Sequence, residues 1–113
     1  MFPDTDTITV VASCLGPDGL PLEGWIYFES TEEQITYQGT VLVRSRARGA
    51  VSETGIMRVQ LLDPNASGVS PTGWNYRVTE AFHGCDTVTY TVSIPSGTEP
   101  DERLQLGSLP RVT

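Results

Sequence analysis

Three arginines occupy alternate positions in Arg44-Ser45-Arg46-Ala47-Arg48. In an extended chain, side chains at i, i+2 and i+4 leave the same face, so this spacing makes a local positive stripe. It suits contact with acidic groups, on a partner or on a second copy through Glu32-Glu33 and the run Glu99 to Glu102. The plainer role is a charged strand that blocks edge-to-edge pairing. A second candidate is Trp25-Ile26-Tyr27-Phe28, a strand with two apolar faces. If Ile26 and Phe28 enter the core, Trp25 and Tyr27 project outward together, and exposed aromatic pairs mark interfaces. Trp25, Tyr27, Arg44, Arg46 and Arg48 are therefore the candidate interface.

Catalytic and metal chemistry find little to use. His83 is the only imidazole and stands beside Gly84 in an expected turn. A hydrolase triad would need it as base, and no Gly-x-Ser-x-Gly motif accompanies it. Cys14 and Cys85 match no zinc spacing. Cys14 continues the alternation Ile8, Val10, Ala12, which favours a buried free thiol. A disulfide would require Cys14 and Cys85 to lie close in the fold, and free thiols are the plainer expectation. Asp4-Thr5-Asp6 and Asp63-Pro64-Asn65 supply oxygens but no dense calcium-loop pattern. Asn65-Ala66-Ser67 fits a glycosylation acceptor and reads as a chance match. No catalytic residue, cofactor or metal site is expected, and the chain does not read as an enzyme.

The 113 residues make one domain, large enough to bury roughly two thirds of its extended surface. All seven basic residues are arginine, so Schiff-base chemistry, a P-loop and lysine isopeptide crosslinks are excluded. The formal charge of −7 argues against nucleic-acid binding, which rests on neutralising phosphates. No apolar run is long enough for a membrane helix. The acidic start Met1 to Asp6 does not read as a secretory signal; it reads as a flexible arm, residues 1–6, at the head of a complete gene product.

These side chains must be positioned by strands. Eleven Gly and eight Pro imply frequent turns. Thr7 to Leu15 reads as a first strand, then Gly16-Pro17-Asp18-Gly19 as a turn and Trp25 to Glu29 as a second strand. Ile35 to Tyr37 is weak. Thr40 to Val43 is expected to run on through the arginines. Glu53-Thr54-Gly55 should turn into Ile56 to Leu62, and Asp63 to Gly73 should be a loop. Trp74, Tyr76 and Val78 share one face, as do Val88, Tyr90, Val92 and Ile94. Joined through His83-Gly84-Cys85-Asp86, these two runs form an antiparallel hairpin. Leu104 to Leu109 supplies a closing strand. Seven to nine short strands and no helix predict an all-β, single antiparallel β-sandwich, Ig-like or transthyretin-like, over residues 1–113.

Several segments in order carry a resemblance. They are Leu15-Gly16-Pro17-Asp18-Gly19-Leu20-Pro21 with Gly24 to Phe28, Glu53-Thr54-Gly55 before Met57 to Leu61, Ser70 to Glu80, Tyr90 to Pro95, and Leu104 to Pro110. Together they resemble the N-terminal domain of minor tail proteins of tailed phages that infect actinobacteria. The resemblance implies a virion structural protein, assembled in the host cytoplasm, with no catalytic residues to carry over. Its implied partners are other virion proteins and copies of itself. Family members usually continue into a fibre or receptor-binding region; this chain stops at Thr113, which suits a small tail or baseplate component. The alternatives are a capsid decoration protein, or a sandwich that binds host cell-surface glycan through Trp25 and Tyr27. The opening turn is also similar to transthyretin-like and pilin-type B domains.

Overall fold

Residues 2–42, 46–98 and 102–112 are described by a computed structural model. Ten strands form three sheets among them. A three-stranded sheet has β1 (Thr7–Ser13) at its centre, with β6 (Ile56–Leu62) antiparallel on one side and β10 (Arg103–Gln105) parallel on the other. Facing it is a four-stranded sheet in the order β5 (Ala47–Ala50), β2 (Gly24–Ser30), β8 (Tyr76–Phe82), β9 (Val88–Val92), antiparallel throughout. The fold is an all-β sandwich, as the alternation predicts. It has ten strands where seven to nine were expected, and one pair is parallel because the chain crosses from β9 back to the far edge of β1.

Alternation decides what each sheet buries. Ile8 and Val10 of β1 lie beside Leu61 and Val59 of β6 and face inward. Ile26 and Phe28 of β2, Tyr76 and Val78 of β8, and Val92 of β9 face them from the other sheet. Trp74, 5 % exposed, continues the Tyr76–Val78 face and meets the Tyr76 ring edge-on, centroids 5.0 Å apart. The Tyr76 hydroxyl donates to the Leu62 carbonyl at 2.6 Å and so ties one sheet to the other. Burial, with Asp63 nearby, pushes this phenol far above its ordinary value. Gly49 of β5 is needed for space: a Cβ there would lie 2.4 Å from the Met57 sulfur. That gap lets β5 fold over onto β6, where Val51 and Met57 form a bridge.

The small sheet closes one end. β3 (Ile35–Tyr37) pairs with β4 (Thr40–Leu42) and with the two-residue β7 (Val69–Ser70). The two-residue turn between β3 and β4 has positive φ at both Gln38 (50°) and Gly39 (83°), which is type I′ hairpin geometry. Of the strand expected from Thr40 through the arginines, Thr40–Leu42 pairs with β3 in the small sheet and Ala47–Ala50 pairs with β2; residues 43–45 between them lie outside the described residues. The loop expected from Asp63 to Gly73 contains β7 and buries Pro64 and Val69. The arm expected to be flexible is packed at residues 2–6. Phe2 meets Tyr37 edge-on at 5.0 Å, the Tyr37 hydroxyl donates to Asp6, and the Asp63 N–H donates to the Asp6 carbonyl at 2.9 Å.

Candidate functional site

β2 is a central strand whose outward residues are Trp25, Tyr27 and Glu29. Its antiparallel register with β5 places Ala50 opposite Trp25 and Arg48 opposite Tyr27. The Arg48 guanidinium reaches diagonally over the Trp25 ring, 4.3 Å from its centroid. The Arg46 guanidinium lies over Tyr27 at 5.4 Å. Glu29 completes the row, with Arg77 Nη1 at 3.2 Å and Arg46 Nε at 3.8 Å. The two candidates read separately from the sequence are therefore one continuous face. Arg44, and the acidic residues Glu99 and Asp101, lie outside the described residues.

Each stack at an exposed site contributes about 0.5–1 kcal/mol, and each partly exposed ion pair about 0.2–1 kcal/mol. Those sums hold side chains in place more than they hold the fold. The geometry leaves one residue standing proud. Trp25 has Ala50 on one neighbouring strand and Ala81 on the other, and it remains 38 % exposed. A large aromatic flanked by alanines and capped by an arginine is thus held in place at the surface. Beyond it, Thr79 of β8 and Thr89 of β9 share the face and contact each other at 3.4 Å.

A second polar group escaped the sequence reading. Glu80 continues the alternation Trp74, Tyr76, Val78, so β8 turns a carboxylate inward at the end of the sandwich opposite the small sheet. The Tyr90 hydroxyl donates to Glu80 Oε2. Burial first, then this bond and the Glu80 charge, push the Tyr90 phenol up, against the opposing charge of Arg111. Arg111 lies 3.9 Å above the Tyr90 ring. It is brought there by the C-terminal tail, which pairs with β9: the Ser93 N–H donates to the Pro110 carbonyl at 2.8 Å and the Val112 N–H to the Thr91 carbonyl at 2.9 Å. Extending the β8 alternation by one step would have found Glu80; nothing local in the sequence marks Arg111.

The remaining candidates are dispersed. His83 sits exposed in the β8–β9 turn, where its N–H donates to the Glu23 carbonyl at 2.7 Å. Cys14 is a buried free thiol, its pKa raised by burial and by Glu80; Cys85 is free and exposed. The Asn65 side-chain amide donates to the Ile94 carbonyl at 3.3 Å, which turns the glycosylation-like asparagine toward the protein. Among the described residues no three His, Cys, Asp or Glu side chains converge as a metal site, and no helix is long and apolar enough to cross a membrane. Compared with known protein families, curated proteins and solved structures, the chain matches none.

Proposed function

We propose that this chain is a non-enzymatic structural protein of a tailed-phage virion, an assembly or attachment module of the tail or baseplate. The virion setting rests on the resemblance of the quoted segments. The contact role rests on one observation, the row of Trp25, Tyr27, Arg46 and Arg48 on the outer face of the four-stranded sheet. On a chain of charge −7 this row gathers cations beside an exposed indole. Such a face steers encounter with an acidic surface and then buries an aromatic anchor. The outer face suits protein better than glycan, because the rings a sugar would stack on already carry guanidinium groups.

Mass spectrometry of purified particles would give the location and copy number. Particles would then be assembled with Trp25→Ser/Tyr27→Thr or Arg46→Ser/Arg48→Ser chains that remain folded by circular dichroism. The expected result is loss of incorporation for both. Wild-type incorporation of both would place the contact elsewhere. Absence of the chain from particles would remove the virion reading itself.

A further inference from the structure

The inward Glu80 opens onto a cleft of about 440 Å³ between the ends of the two sheets. That volume lies within the roughly 300–1,000 Å³ of small-molecule sites. Leu22 and Phe82 supply apolar wall. Ser108 lines the rim from the turn after β10, and Arg111 lines it from the tail paired with β9. Tyr90 donates to Glu80 Oε2, and among the described residues no guanidinium stands within ion-pair distance of the carboxylate. A carboxylate has about four lone-pair sites, so Glu80 keeps acceptor capacity at the cleft.

We propose that this cleft binds one unit of a neutral carbohydrate, a function separate from the outer face and independent of the virion reading. Recognition divides by chemistry. A carboxylate at one wall disfavours anions and a guanidinium at the rim disfavours cations, so a neutral guest is selected. Glu80 accepts, Arg111 offers only donors, and Ser108 does both. Vicinal hydroxyls answer all of these at short spacing, while the C–H face of a pyranose lies on Leu22 and Phe82. A zwitterionic amino acid is the nearest competitor. Its ammonium group asks for up to three acceptors, and Glu80 is the one carboxylate among the residues that line the cleft.

The test is amide chemical-shift titration of the full chain with D-glucose, D-galactose and N-acetyl-D-glucosamine, to about 100 mM, enough to populate a millimolar site. Glycine and leucine serve as the amino-acid arm. We expect saturable shifts at Glu80, Gly107 and Ser108 with at least one sugar. They should weaken about tenfold in Glu80→Gln and persist in Trp25→Ser. Gly107 lines the cleft and a Cβ there meets nothing within 4 Å, so Gly107→Phe adds a ring at the cleft without a clash and serves if Glu80→Gln fails to fold; it should abolish the shifts. No saturable shift with any sugar overturns the proposal, as does binding that survives Gly107→Phe, and saturation by amino acids alone overturns the carbohydrate assignment. None of these outcomes bears on particle incorporation.

Discussion

The two outer faces of the sandwich treat their central strands in opposite ways. On the three-stranded sheet, β1 presents short side chains, Thr7, Thr9 and Val11. Its neighbours in register are long: Arg58 and Gln60 on β6, Arg103 and Gln105 on β10. The long stems lean over the short centre, so Thr9 and Val11 are only 8 % and 9 % exposed on a face that has no further layer among the described residues. Gln60 also donates to Thr7 Oγ1 at 2.8 Å. On the four-stranded sheet the centre is large: Trp25 has Ala50 and Ala81 beside it, Tyr27 has Arg48 and Thr79, and guanidinium groups lie over both rings. The first face is closed over its centre; the second is more open and leaves Trp25 38 % exposed. That difference is why we propose the contact there.

The comparison holds only if stability resides between the sheets. The largest effect is therefore expected at Trp74, where Trp74→Ala should cost about 3–5 kcal/mol in chemical denaturation. A loss below about 1 kcal/mol would mean the inner and outer faces of β8 have been exchanged. Trp74 Nε1 is buried without a hydrogen-bond partner, so Trp74→Phe removes an unmet donor and should cost clearly less than Trp74→Ala.

The closed and open faces are separated next. Val11→Asn puts an unpartnered amide under Arg58 and Gln105 and should cost about 2 kcal/mol. Thr89→Asn on the open face should stay within about 0.5 kcal/mol. Equal losses at the two positions would erase the distinction.

A smaller effect concerns the bond that joins the sheets. Tyr76, Tyr37 and Tyr90 all have raised phenol pKa values when folded. The unfolded phenols ionise near pH 10, so their contribution to stability is flat below that and falls as pH rises above it, after a smaller decline from the buried Cys14 thiol. Denaturation midpoints measured from pH 9 to 12 should show this decline. Tyr76→Phe should remove the largest share of its slope, and Tyr90→Phe less, because Tyr90 is partly solvated. A midpoint that rises above pH 10 would contradict the assignment.

The smallest effect is local to the open face. A double-mutant cycle on Trp25→Ala and Arg48→Ala should give a coupling of about 0.5–1 kcal/mol. Zero coupling would mean that the stack is not populated in solution.

Alternation along single strands made much of this readable in advance. Trp25 and Tyr27 had to leave the core once Ile26 and Phe28 entered it, and Trp74, Tyr76 and Val78 had to share a face. Alternation names a face but not a neighbour. That Arg48 lies over Trp25 depends on β5 choosing β2, a pairing enforced by Gly49 beneath Met57 and by the β3–β4 turn that draws Leu42 away. Neither is visible in the spacing of the arginines. The same limit hid Arg111, which reaches Tyr90 only because the tail returns to β9, and the parallel docking of β10, which depends on a long crossover. Two strands of the small sheet, at Ile35 and at Thr40, were expected; β7 was missed because it has two residues and is held by its partner, with no periodicity of its own.

The tail has a consequence for one rim of the four-stranded sheet. A strand at the rim of a sheet offers unpaired N–H and C=O groups to any extended chain nearby. Pro110 to Val112 take up the Ser93 N–H and the Thr91 C=O, and Arg111 covers the ring of Tyr90. The β9 rim is thus paired by the protein's own chain, and these groups are withdrawn from strand addition by any other molecule.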